Sequence, residues 1–337
     1  MEQRARLALY VGDCDTAFAI SRSLLPSAPT ASSAAGAPTE ITRVAKACAG
    51  AVAGSSIVED RERGLWLRLQ DDEDRALAPL IMAVAGRARD AIEADLAARL
   101  PRPLRIELVR DLFSLAAITG LPVEAAETTG TLGVARWGRI TLLSPRATSH
   151  GYQWQDTLAH EIAHLVITRA SRDRAPLWLQ EGLAKREERR WRKPRPGDGE
   201  PAPDRVAHAA LLTGQSVGIA GLGPSIAMLP TPQAATIAFA EVSSFVAFFV
   251  ERMGAGALRL LLRDLAGLAS EPEVGRVDSA LRSVSGYDLL QWNLLWQHHL
   301  LESADGQPAD QPADLSVPPA LPQRESPMLD GAPGWPI

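Results

Sequence analysis

His160-Glu161-Ile162-Ala163-His164, followed seventeen residues after His164 by Glu181, is the stretch from which the rest of this chain is best read. Residues four apart on a helix share one face, so both histidines can aim a ring nitrogen at one metal ion. Glu161 sits about a third of a turn round from His160. There it can reach a water held by that ion without being a ligand. The opposing reading is a surface helix with unremarkable polar residues. The flanking sequence argues against it, because Leu158, Ile162 and Leu165 recur at helical spacing, as do Ile162 and Val166. A helix with such a face is largely buried. Two histidines and a glutamate inside it cost free energy unless something satisfies them.

A zinc ion that does chemistry needs a third protein ligand and one open position. The metal helix is predicted to end near Arg169-Ala170, before the polar stretch Ser171 to Arg174, and Pro176 suits the first turn of a new helix. His164 lies about six residues before this connection and Glu181 about five after it. At ~1.5 Å rise per residue, the two stand at similar heights on packed helices. Glu181 is therefore the candidate third ligand. Its setting, Leu177-Trp178-Leu179-Gln180-Glu181-Gly182-Leu183-Ala184, is too apolar for an ordinary exposed helix glutamate. Asp156, four residues before His160, can orient that histidine, since ligating imidazoles need such a partner. Equally, it can be a first-turn acid favoured by the helix dipole. Both readings stay open.

The run His160 to His164, together with Trp178 to Ala184, resembles the peptidase MA-like gluzincins, whose pattern is H-E-x-x-H followed by W-L-x-E-G-L-A. The resemblance covers roughly residues 75 to 302. It implies Zn2+ on His160, His164 and Glu181, with Glu161 as general base, in a zincin-like α+β fold: a small mixed sheet packed on the active-site helix, then an all-helical subdomain. In such proteins an edge strand holds an extended peptide by backbone pairing. That implies a substrate cleft along residues 132 to 143, including Arg139, Ile140, Thr141 and Leu142. The competing reading of these four is an ordinary internal strand. The chain also departs from the family. Arg186 stands where an aromatic is common, and Phe239 where a later helix often carries a tyrosine. If that tyrosine stabilises the oxyanion, its loss bears on activity.

The 337 residues, 46% of them hydrophobic, suffice for a substantial core. A net charge of −5 gives no general expectation of nucleic-acid partners. Cys14 and Cys48 form no C-x-x-C, which excludes zinc ribbons and redox motifs; they are expected as free, small core residues rather than as a disulfide. No signal peptide is visible, since acidic residues arrive before any apolar core. The most apolar segment, Ala234 to Val250, contains Glu241 and two serines and reads as a buried helix, not a membrane span. The default expectation for location is cytoplasmic.

Four parts follow along the chain. Residues 1–53 are N-terminal helices with a linker at 26–39; they resemble a tetratricopeptide-repeat fragment or form an ordinary helix pair, and offer a surface for a protein partner. Residues 54–195 hold the sheet and the metal motif, with strands at Leu65–Leu69, Pro103–Val109 and a hairpin turning at Trp137-Gly138. A long helix is expected over Asp71–Ala98. Residues 196–302 read as all-helical, and 303–337 as a disordered, Pro-rich tail. The basic run Lys185 to Arg195 reads as the solvated end of a helix. Of His208, Tyr287, His298 and His299, any can be an oxyanion donor by sequence alone. The expected function is zinc-dependent hydrolysis of peptide bonds in a peptide or protein substrate. The alternative is a peptidase-like zinc-binding module that acts by binding protein partners.

Overall fold

The computed structural model describes residues 1–23, 40–123, 126, 130–199, 201–223, 225–268 and 272–304. The expected linker at 26–39 and the tail from 305 onward lie outside the described residues. The chain is α+β, with one small sheet and many helices. Three helices come first: α1 (Glu2–Tyr10), α2 (Cys14–Arg22) and α3 (Glu40–Val52). Strands β1 (Ser56–Asp60) and β2 (Leu65–Leu69) lead to α4 (Ala78–Leu96), β3 (Leu104–Val109), α5 (Leu112–Thr119), and the hairpin β4 (Gly133–Arg136) and β5 (Arg139–Leu143). The rest is helical: α6 (Trp154–Ser171), α7 (Leu177–Glu187), α8 (Pro203–Thr213), α9 (Pro232–Met253), α10 (Ala255–Gly267), α11 (Glu273–Ser285) and α12 (Leu289–Ala304).

The sheet has five strands in the order β1-β2-β3-β5-β4. Its centre is parallel (β2 with β3, β3 with β5), while β1 and β4 pair antiparallel at the two edges. Side chains alternate between faces along each strand. Leu65, Leu67, Leu69, Ile106, Leu108, Ile140 and Leu142 join one core with α4, α6, α7 and α9. Val109 and Leu143 join a second core with α1, α2, α3 and α5. The N-terminal helices thus spend their apolar faces on the sheet's far side.

That far side also holds charge. Glu107 Oε1 accepts from Arg68 Nη1 at 2.8 Å and from Arg139 Nη1 at 3.2 Å, and all three residues are buried. Arg68 Nη2 donates to the Gly12 carbonyl at 2.6 Å. The expectation of free cysteines is corrected here: Cys14 and Cys48 form a disulfide with an S–S distance of 2.08 Å. Packing α2 beside α3 brings their Cα atoms to 5.5 Å, inside the range a disulfide spans. Sequence spacing of 34 residues gave no hint of that contact.

Two further differences have local causes. The expected long helix begins as a 3-10 turn, Asp72–Leu77, capped by Asp71, and becomes α-helical only at Ala78 with Pro79 in its first turn. Strand β1 was not expected, because only one of its two faces meets the protein and its sequence Ser-Ile-Val-Glu-Asp is largely polar. Helix α9 is long and apolar enough to cross a membrane by length and composition, yet it packs on α7, α8, α10 and α12 as a core helix.

Candidate metal centre

Helix α6 lies between the sheet and α7, and α7 lies between α6 and α9. The α6–α7 connection is short and fixed. Arg172 takes a left-handed cap, and Ser171 Oγ accepts from the backbone amides of Arg174 and Ala175 at 3.3 and 3.2 Å. Pro176 then starts α7. At Gly182 an added Cβ would lie 2.4 Å from Val246 Cγ2 and 2.6 Å from the Val242 carbonyl. Only glycine admits so close a crossing of α7 and α9, and that crossing sets Glu181 level with the α6 histidines.

The donor atoms converge. His160 Nε2 and His164 Nε2 are 3.1 Å apart, and Glu181 Oε2 is 3.5 Å from each. Around a tetrahedral ion with bonds of ~2.0–2.1 Å, neighbouring donors stand about 3.3 Å apart. The three groups therefore fit one zinc-sized ion, and among the described residues they are the one His/Cys/Asp/Glu cluster with this convergence. Glu161 is buried and stands off the ligand set, with its carboxylate accepting from the Ala135 amide. Burial is the largest influence on it and raises its pKa, outweighing the pull of the two histidines.

His160 has a second carboxylate. Glu188 Oε2 lies 3.3 Å from its Nδ1, the nitrogen facing away from Glu181. Burial opposes charge on His160, but Glu181 and Glu188 outweigh it and push the imidazole up to about 9. Glu181 is held far below the usual carboxylate range: burial works against this, and the two histidines overcome it.

The partner proposed for His160, Asp156, is elsewhere. It accepts two bonds from Arg192, at 2.8 and 2.5 Å, and Asp198 holds the same guanidinium from the other side. The carboxylate beside His160 is instead Glu188, whose signal was its spacing: Glu181, Lys185 and Glu188 form one i, i+4, i+7 stripe. The basic run Lys185 to Arg195 is a solvated end only in part: Lys185 and Arg186 lie in the last turn of α7, and Arg190 and Lys193 to Arg195 are exposed. Arg190 pairs with Asp95, Arg192 with Asp156, and Trp191 is buried.

A cavity of about 500 Å³ opens over the cluster. Its walls include His160, Glu161, His164, Glu181, Lys185 and Phe239, with Leu132 to Ala135 along one side. Arg139, Ile140, Thr141 and Leu142 are not on that wall. They are buried in β5, which pairs with β3 on one side and β4 on the other. The strand facing the cavity is the edge strand β4, because the hairpin folds outward from β3 rather than inward. Gly133 on β4 is pressed on the base: a Cβ there would come within 2.9 Å of Glu161 Cγ. Phe239 lines the cavity with its ring centroid 6.5 Å from that of His160. The tyrosine and histidines considered as donors do not line it. His298 pairs with Glu302, His299 stacks on Phe248, and Tyr287 is half exposed beside Trp292.

No family model matches the chain, and no curated protein matches it.

Proposed function

We propose that the chain is a zinc-dependent peptidase of the gluzincin type, with a zincin-like arrangement of sheet and metal helix. The observation that carries this reading is the convergence of His160, His164 and Glu181 at 3.1 to 3.5 Å with Glu161 beside them in one cavity. Zinc at this site supplies a Lewis acid that activates water and polarises a carbonyl. His160, His164 and Glu181 would hold it, with Glu188 beside the far nitrogen of His160. The Glu161 carboxylate takes the proton from the attacking water and delivers it to the leaving amide nitrogen. β4 is the edge strand on the cavity side, and its backbone, apart from the Ala135 amide given to Glu161, suits an extended peptide that would add to the sheet by backbone pairing.

A second reading has one observation in its favour: Phe239 offers no hydroxyl to the cavity. On that reading the domain binds zinc and protein partners without turnover. Metal analysis of purified protein, with a casein-type assay, tests both. The peptidase reading expects about one zinc per chain, lost in His160→Ala, together with hydrolysis of unfolded protein. Zinc without hydrolysis supports the binding module, and zinc-free wild type removes both.

A further inference from the structure

Attack on a peptide carbonyl drives negative charge onto its oxygen, and fixed donors aimed at that charge are usually a large part of catalysis. The cavity walls narrow the choice of donor. Tyr152 gives its hydroxyl to the Leu143 carbonyl. Among the described residues lining the cavity, the side-chain donors apart from the candidate metal-binding histidines are Thr131, Thr157, Thr168, Gln180, Lys185 and Ser225, and Lys185 is the one lysine or arginine.

We propose that Lys185 is a catalytic residue that donates to the carbonyl oxygen under attack, the role a tyrosine at position 239 would otherwise fill. The proposal rests on the peptidase reading above. Three observations carry it. Lys185 follows Glu181 by one helical turn, so both project from the same face of α7 into the cavity. Its ammonium is already placed: Nζ lies 3.1 and 3.0 Å from the two Glu188 oxygens and 5.5 Å from the Phe239 ring centroid. Glu188 takes at most two of its three N–H bonds, so at least one remains. Phe239 thus takes a different part at this position, as a face on which the cation rests.

The plainer role for Lys185 is counter-charge to Glu188. That carboxylate has a second cation, since Arg189 Nη2 lies 3.3 Å from its Oε1. Glu188 therefore keeps a positive partner when Lys185 is removed, and the two roles separate experimentally.

The experiment compares wild type with Lys185→Met. It measures zinc content, kcat and KM on an unfolded protein or quenched peptide, and affinity for a phosphinic peptide, a tetrahedral mimic of the attacked carbonyl. Melting temperature serves as the folding check. The expected result is unchanged zinc, KM within about twofold, kcat lower by on the order of 100-fold, and phosphinic-peptide affinity lower in parallel. Lys185→Arg, which keeps a donor, recovers part of both losses. If Lys185→Met keeps kcat and inhibitor affinity within about threefold, the proposal is overturned. It is also overturned if the variant loses zinc, because Lys185 then acts through Glu188 and His160. Should wild type bind zinc and phosphinic peptide without measurable turnover, the inhibitor arm alone decides the role of Lys185. Wild type that binds no zinc ends the peptidase reading and this proposal together.

Discussion

The two faces of the sheet are held in opposite ways. Toward α4 and α6 the strands present leucines and isoleucines, and the metal helix rests on a continuous apolar core. Toward α1, α2 and α3 the same strands present Arg68, Glu107 and Arg139, roofed by the Cys14–Cys48 bond. Arg139 Nη2 is 3.4 Å from Cys48 Sγ, so charge and disulfide meet in one place. The difference is instructive. Apolar packing tolerates small errors and places the helix that carries the ligands. A buried charge cluster tolerates little, because each ion depends on its partners.

The sharpest way to break the comparison is Glu107→Gln. It leaves two buried guanidinium groups without their anion and should cost about 3–5 kcal/mol, read as a shift in the denaturant midpoint. A cost below about 1 kcal/mol would mean that the charged face is no more demanding than the apolar one. Opening the disulfide comes next. A loop of 34 residues corresponds to about 3–4 kcal/mol on the chain-entropy account, so Cys14→Ser with Cys48→Ser should lower the melting temperature markedly while leaving zinc content alone. Loss of zinc in that variant would show that the two faces are coupled. On the metal side, Gly182→Ala forces α7 from α9 and should cost about 1–3 kcal/mol and also weaken zinc binding, because Glu181 moves with the helix. The smallest effect concerns pH. Only neutral His160 can ligate, and Glu181 with Glu188 holds it protonated up to about 9. Each zinc bound below that pH therefore displaces a proton, and affinity should rise about tenfold per unit between roughly pH 7 and 9. Competition with a chromophoric chelator measures this, and a flat profile would contradict the pairing of His160 with the two carboxylates.

What was legible in the sequence follows the same division. The convergence of His160, His164 and Glu181 was readable because its geometry is local: i and i+4 on one helix, then a short connection to the next. The helical C-terminal half was readable for the same reason. The far face was not. The Cys14–Cys48 bond joins residues 34 apart in the chain and leaves no periodic trace, and on the metal side the Arg192–Asp156 pair, 36 residues apart, leaves none either. Strand order was equally hidden. The sequence shows that Arg139 to Leu143 is a strand, but only the pairing with both β3 and β4 puts it inside the sheet and gives the cavity edge to Gly133–Arg136. Glu188 stands on the same stripe as Glu181, so its place beside His160 was within reach of helical spacing.

One measurement bears most directly on the central claim: zinc content and casein-type hydrolysis, determined side by side for wild type and Glu161→Gln. On the proposed reading Glu161 takes the proton of the attacking water without being a ligand. Both proteins should therefore carry about one zinc per chain, and only wild type should turn over substrate. Wild type without zinc, or equal turnover by the two proteins, would contradict the account.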